Sequence, residues 1–530
     1  MSFKNFGVYF PLLLLATSTY YGTSAFAPFL LKTTDKNVKG RSFPTKIRPL
    51  LGISRTRPLD GGNALGTSPS ALSGFITGLI ADCIESKRPK KEEAEETLPW
   101  ERDLEIRLEE LEQYLANNAT FETDLLYSIQ SAKSRGRQNL DPKLYYAFLI
   151  GVNGWPSSID EYFRFLTWFS SYVPQQSNYE GWLNGTTQDY YSTHQEVYDR
   201  LCHFYFLIYQ PLPSGCGTVQ DNSWFAEWLV RYAQVWGKFC NSPDSISSQT
   251  IQSFVKNSKS FNITDSMIPM NEEDIPGNVD QYTIRNEKGQ PLRPNSPSGW
   301  MSWNQMFARE LNPGLRPIDV PTDNRVVCAP ADCTFKATYP ISSDNEVQNH
   351  IFKRTHNIGN VKDLLKGSKY EEAFAEGTYV HYFLGPYSYH RFHTPVAGVV
   401  QESFQVPGLT FLAINIKDKQ FDAPDDSKNG YEFRQARGVI TIDTTDSPYG
   451  DVGIVAIAPI GMCQVSSVSM IATAGANLAK GDEFGYFQFG GSDIIMLFQK
   501  GVVPPENLLQ DGNAYNHYGM QVATAISLNN

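Results

Sequence analysis

The stretch Lys480-Gly481-Asp482-Glu483-Phe484-Gly485-Tyr486-Phe487-Gln488-Phe489-Gly490-Gly491-Ser492-Asp493 decides how this chain reads. Its aromatic run Glu483 to Phe489, and the run Asp493 to Phe498 that follows, are bounded by glycine and predict two short strands. Two glycines before the serine leave the backbone free to adopt a strained conformation, so that Ser492 Oγ can approach the Gly491 carbonyl. A serine so placed can undergo an N-to-O acyl shift to an ester. β-Elimination and hydrolysis then convert it into an N-terminal pyruvoyl group. An ordinary glycine-rich turn also reads Gly-Gly-Ser, so the stretch by itself leaves both open.

Working outward, Val452 to Pro459 and Val465 to Ala472 repeat the strand pattern. Many short strands without long intervening helices imply an antiparallel or mixed β domain after about Gly277. Upstream, from Glu101 to about Lys256, the period is helical. Ser158 with Glu161 makes a capping box, and Tyr162, Phe165, Phe169 and Tyr172 recur at three- and four-residue spacing. Trp224, Trp228, Tyr232, Val235, Trp236 and Phe239 repeat that pattern, and a packed helical core accounts for it better than a cofactor groove. The expected fold class is α+β, a helical domain over 99–270 followed by a β-rich domain over 271–530.

The 530 residues exceed one ordinary domain, and 41% hydrophobic content provides material for a core. A net charge of −11 excludes a general nucleic-acid binder. No run of about 18 apolar residues predicts a spanning helix. Seven cysteines without a CxxC make neither a disulfide framework nor a zinc ribbon, with a Cys328–Cys333 pair left open. Residues 1–27 read as a signal peptide: Lys4, an apolar centre from Val8 to Ala16, and Ala25-Phe26-Ala27 at the end. Residues 28–98 read as a transit segment and linker. The first sixty residues hold nine basic against two acidic side chains, so the body without them carries −18. Ser24-Ala25-Phe26-Ala27-Pro28-Phe29 resembles the junction of bipartite plastid-targeting leaders. That implies a plastid reached through the secretory pathway, with the endomembrane system or secretion as the alternative.

No Walker loop, GxGxxG, HExxH or GxSxG occurs. His390 and His393 sit together in Tyr389-His390-Arg391-Phe392-His393-Thr394-Pro395. An HxxH pair could ligate a metal, but the region offers no further ligand set, so no metal is expected. On a strand the two imidazoles need not face the same side. Asp332, in Cys328-Ala329-Pro330-Ala331-Asp332, is in isolation a turn residue.

Four segments in this order resemble the phosphatidylserine decarboxylase family of pyruvoyl enzymes. They are Met306-Phe307-Ala308-Arg309-Glu310-Leu311 with Gly314-Leu315-Arg316-Pro317-Ile318, then Ala329-Pro330-Ala331-Asp332, then Tyr389 to Pro395, then Lys480 to Gly485 running into Gly490-Gly491-Ser492. The resemblance implies cleavage between Gly491 and Ser492, giving α and β chains and a pyruvoyl cofactor made from Ser492. It matches Asp332, His393 and Ser492 to the family's self-cleavage triad, and His390 to its decarboxylation histidine. His393 would withdraw the Ser492 proton while Asp332 fixes its tautomer. The ketone would form a Schiff base with a substrate amine, and His390 would reprotonate the carbanion.

Two features depart from the usual family pattern. Asp493 stands where the Leu-Gly-Ser-Thr motif has threonine, and Gly461-Met462-Cys463-Gln464-Val465-Ser466-Ser467 differs from the Val-Gly-Ala form. Both look more like a divergent branch that includes fungal tryptophan decarboxylases and carries an N-terminal helical domain. Leu212-Pro213-Ser214-Gly215 and the Trp236 to Pro243 stretch look similar to that domain. The implied substrate is phosphatidylserine, converted to phosphatidylethanolamine and CO2, with a free aromatic amino acid such as tryptophan as the alternative. Expected partners are that substrate, the two chains of its own cleavage, a peripheral membrane contact through Ala71 to Ile84, and a second copy in a homodimer. A serine hydrolase using Asp332, His393 and Ser492, and a lipoyl-like module with Lys480 as attachment point, are the competing readings.

Overall fold

The computed structural model describes residues 98–530 apart from 151–153, 180–181, 183–195, 216, 258–264, 267–299, 348–358, 424–429, 464–466, 489–490, 511–513 and 529–530. The leader segments 1–27 and 28–97, the amphipathic stretch Ala71 to Ile84 and the domain boundary expected at 270/271 lie outside the described residues.

Seven helices precede the sheets among the described residues: α1 (Pro99–Asn117), α2 (Ala119–Asn139), α3 (Pro142–Ala147), α4 (Ile159–Phe169), α5 (Glu196–Ile208), α6 (Ser223–Cys240) and α7 (Ser248–Asn257). α4 starts where Ser158 Oγ accepts the Glu161 amide at 3.2 Å, which satisfies one of the orphan donors of a helix start. Glu161 reaches back to the Ser157 amide at 2.6 Å rather than to that of Ser158. Tyr162, Phe165 and Phe169 line its inner face, as their spacing predicts. α6, capped by Asn222, buries Trp228, Tyr232, Val235, Trp236 and Phe239. Trp224 lies at the margin, stacked on Tyr114 at 3.8 Å. Burying each such ring is worth about 1.5–3 kcal/mol, enough in sum to hold helices whose individual propensity would not.

The β-rich part begins with the one-turn helix α8 (Trp303–Phe307) and the strand β1 (Val326–Cys328). There follow β2 (Cys333–Pro340), the short helix α9 (Val361–Leu364), β3 (Thr378–Leu384), β4 (Arg391–His393), β5 (Gly398–Val406), β6 (Asn415–Lys417), β7 (Gln420–Asp422) and β8 (Arg437–Asp443). β9 (Ile454–Met462), β10 (Val468–Met470), β11 (Asn477–Leu478), β12 (Glu483–Phe487), β13 (Gly491–Phe498), β14 (Tyr515–Asn516) and β15 (Gln521–Thr524) complete the order. The main sheet runs β11-β5-β8-β9-β13-β3-β2-β14, and every pairing in it is antiparallel. A smaller sheet, β10-β12-β4, lies beside it. The four strand expectations near the C-terminus are met with ends shifted by up to three residues.

β13 sits between β9 and β3 near the sheet's centre. Its side chains alternate: Ile494, Met496 and Phe498 enter the larger core, while Ile495 and Leu497 enter a second core with Val439, Ala456 and Ala458. Both faces are covered, so the run from Ile494 to Phe498 is apolar throughout. The β6–β7 hairpin docks on the helices, with Phe421 between Phe148 and Phe206 at 5.7 and 5.4 Å. Cys328 and Cys333 are both buried and free.

Candidate active site

β13 opens at the peptide bond that the sequence singles out. Gly491 lies opposite Met462 of β9, and Ser492 is flanked by Gly461 and by Leu384 of β3. Alternation turns the Ser492 side chain towards the larger core, where it is fully buried. His390, just before β4, brings Nδ1 to 3.1 Å from Ser492 Oγ, and its Nε2 lies 3.0 Å from the Gly385 carbonyl oxygen. A carbonyl can only accept, so Nε2 carries the proton and Nδ1 is the bare nitrogen that receives the serine hydroxyl. Phe307 stacks on the same imidazole, with ring centroids 3.8 Å apart and planes 22° apart. Burial, reinforced by the Arg309 charge, lowers His390 to about 3, so its neutral form persists through the physiological range.

His393 occupies different ground. Its Nδ1 donates to the Gly481 carbonyl at 2.8 Å, and its Nε2 accepts from Tyr389 Oη at 3.0 Å. Burial lowers it to about 4. Tyr518 stacks on the ring at 3.7 Å, almost parallel. Asp332 is hydrogen-bonded to the backbone of that tyrosine and not to the histidine, which feels it as a nearby charge. Its carboxylate accepts from Arg316 Nη2 at 2.5 Å, His517 Nδ1 at 3.0 Å and the Tyr518 amide at 2.9 Å. Burial alone would raise the Asp332 carboxyl, but the His517 and Arg316 hydrogen bonds hold it below its ordinary value.

The expected chain Asp332–His393–Ser492 is therefore not what the structure assembles. His390 and His393 are three residues apart along an extended segment, so an odd step sends them to opposite sides. The tautomer of each is fixed by a backbone carbonyl, Gly385 or Gly481, and Asp332 reaches His393 as a nearby charge rather than as a hydrogen-bond partner. A hydrolase reading on that triad loses its geometry for the same reason. Lys480 is committed elsewhere: its buried ammonium donates to the carbonyls of Val320, Asp323 and Val326 at 2.6–2.7 Å, which leaves no attachment point.

The other quoted motifs prove to be supports for this pair of histidines. Ala308 accepts from Arg391 Nε at 2.9 Å, and Arg309 donates to the Tyr387 and Ser388 carbonyls, holding the turn before His390. Arg391 also pairs with Glu483 of β12 at 2.8 Å. Gly485 has no room for a Cβ, which would fall 2.2 Å from the Phe392 ring. Gly481 takes a φ of +88°, and that turn aims its carbonyl at His393. His517 and Tyr518 carried no sequence signal, since they stand some 185 residues from Asp332.

Asp493, the departure noted beside the serine, points to the opposite face. It is fully buried with its carboxylate 3.4 Å from His381 Nε2. Glu432 lies in the same core, accepting from Tyr379 Oη at 3.1 Å. Burial raises Glu432 to about 7, with His381 opposing and Asp493 adding to the rise. Between about 4.5 and 7 the folded state thus binds a proton that the unfolded chain has lost, so stability falls as pH rises through that window. Glu432→Gln, made in a Ser492→Ala chain, is expected to gain thermal stability at pH 8 relative to pH 5, by up to roughly 3 kcal/mol. An equal effect at both pH values in melting curves would refute the assignment.

Residues 303–524 match the sequence model of the phosphatidylserine decarboxylase family. The chain is 32% identical over 206 residues to phosphatidylserine decarboxylase proenzyme 2 of Oryza sativa subsp. japonica, covering 38% of this chain and 30% of that protein. It is 29% identical over 226 residues to decarboxylase iboD of Amanita muscaria, covering 40% of this chain and 62% of that one. With the phosphatidylserine decarboxylase proenzyme of Clostridium novyi it shares 27% identity over 283 residues, 52% of this chain and 78% of the relative. The chain thus spans less than two thirds of the length of the first two of these relatives. The matched segment contains α8, Asp332, both histidines and Ser492. It is this β-rich part of the chain, carrying the serine and both histidines, that is similar to the phosphatidylserine decarboxylase family.

Proposed function

We propose that this protein is a pyruvoyl-dependent decarboxylase that matures by cleaving its own chain between Gly491 and Ser492. One observation carries the reading: a buried serine whose hydroxyl lies 3.1 Å from the bare nitrogen of a neutral histidine, directly after two glycines. Ser492 Oγ adds to the Gly491 carbonyl carbon as its proton passes to His390 Nδ1. The C–N bond then breaks, the nitrogen takes a proton, and an ester replaces the amide. Loss of the Ser492 Cα proton and of the Gly491 carboxylate from Cβ, followed by hydrolysis with one water, releases ammonia and leaves the pyruvoyl group. When present, that group supplies a ketone as the electron sink for losing CO2. His390 remains beside the new chain end, placed to deliver a proton to the substrate carbon. His393, Tyr389, Tyr518 and Asp332 hold the adjoining wall.

The substrate favoured by the likeness to the phosphatidylserine decarboxylase family is phosphatidylserine. A lipid substrate requires contact with a bilayer, and among the described residues no helix is long and apolar enough to cross one. Peripheral contact is therefore the mode proposed. A free amino acid is the second reading, supported by Asp493 after the serine and by the likeness to decarboxylase iboD. Purified, cleaved protein should release CO2 from phosphatidylserine vesicles and none from free tryptophan. Release from the amino acid alone overturns the lipid reading, and an uncut chain inert towards both overturns the decarboxylase reading.

A further inference from the structure

The helical domain lies outside the family match, yet it grips the β-rich part beside the reacting residues. α8 is one turn long, too short to persist without tertiary contacts. At its start, the Trp303 amide donates to Ser245 Oγ at 2.9 Å, and the Trp303 ring packs 5.3 Å from Phe254 of α7. Asn304 Nδ2 donates to Asn241 Oδ1 at 2.9 Å and to the Gly237 carbonyl at 3.3 Å, both at the end of α6. At its other end Phe307 is the ring that stacks on His390. Every residue from Trp303 to Ala308 is buried.

A second contact backs the cleavage point. Met462 pairs with Gly491, and the next residue, Cys463, lies close enough to Tyr205 and Cys202 of α5 to perturb the ionisation of both. Farther off, Gln220 and Leu412 exchange two hydrogen bonds at 3.1 and 3.2 Å, fixing the register between the two parts.

We propose that the helical domain is a working part of the processing site: through Asn304 and Trp303 it holds α8 so that Phe307 fixes the His390 ring against Ser492. Asn304 is on this account a positioning residue. The inference rests on the proposal that Ser492 is cleaved from Gly491. The imidazole is held by Ser492 Oγ, the Gly385 carbonyl, the Phe487 edge and the Phe307 face, and of these only the last depends on the helices. If it loosens, His390 turns away from the hydroxyl and admits water. The charge that faces it, Arg309, stays where the Tyr387 and Ser388 carbonyls hold it.

The test follows self-cleavage of the full-length chain after pulse synthesis, in wild type, Asn304→Ala and Asn241→Ala. Asn304→Ala should slow cleavage roughly 10- to 100-fold, the scale on which small misplacements act. Asn241→Ala, which leaves α8 intact and removes an acceptor at the end of α6, should slow it less. Both should acquire an acid limb between pH 5 and 7 that wild type lacks, because a hydrated His390 returns towards its ordinary titration. A loss of stability alone would not move the pH profile. Wild-type rates with a flat profile in both variants would overturn the inference. Should Asn304→Ala fail to fold, Asn241→Ala decides on the same criteria. If wild type itself stays uncut, the processing proposal fails instead, so the two failures are distinct.

Discussion

A Ser492→Ala chain should remain in one piece and release no CO2 from any substrate. Wild type should instead yield a 39-residue C-terminal fragment, residues 492–530, whose first residue is blocked by pyruvate. The effect is all-or-none because one oxygen does two jobs. Without Oγ the acyl shift has lost its nucleophile, and without the ester there is no leaving group to eliminate. Intact mass spectrometry reads the cut, the blocked terminus and the loss of ammonia together. The substitution replaces a buried hydroxyl by hydrogen next to an apolar strand, so the fold should survive, and unchanged melting would confirm that lost activity is lost chemistry. Wild-type protein that decarboxylates while uncut would refute the assignment of the cofactor.

The second large effect separates the histidines. His390→Ala should slow self-cleavage by roughly 10²- to 10⁴-fold, the usual worth of a positioned base. His393→Ala should slow it less, because that ring acts on the Tyr389 and Tyr518 side of the site and its nitrogens are engaged with Tyr389 and Gly481. The sign of the pH dependence follows from the burial of His390. A base lowered to about 3 is unprotonated at every pH above it, so the cleavage rate should stay flat from pH 8 to pH 5, without an inflection near 6.5. The resemblance led to the opposite ranking, with His393 as base. Gel-resolved time courses of both variants decide: an uncut His393→Ala beside a readily cut His390→Ala would restore the ranking that the resemblance implied.

Much of this molecule was legible in its residues. The aromatic spacing from Tyr162 to Phe169 and from Trp228 to Phe239 marked helices whose inner faces are now seen buried, while Tyr172 is buried just past the end of the first. Glycine-bounded runs marked β9, β10, β12 and β13, because turn chemistry and period-two or continuous apolar runs are local properties. Ser492 was legible for the same reason, since two glycines and a serine are neighbours in sequence. Four ordered motifs marked the family, although composition and spacing alone did not say what each motif does.

Tertiary structure decided the rest. Whether His390 or His393 faces Ser492 depends on strand alternation and on which carbonyl, Gly385 or Gly481, meets each ring. Asp332 is tied to Arg316, His517 and the Tyr518 amide, so it faces His393 only as a nearby charge, an arrangement that no spacing rule could supply. The Asp493–His381 pair and its neighbour Glu432 meet only because β3 and β13 are paired and Tyr379 lies on the same face. Local sequence sets backbone preferences and the periodicity of burial. Many of the hydrogen-bond partners and shifted titrations come from groups far apart in the chain, such as His390 with Ser492 and Asp332 with His517, and these exist only once the sheet has closed.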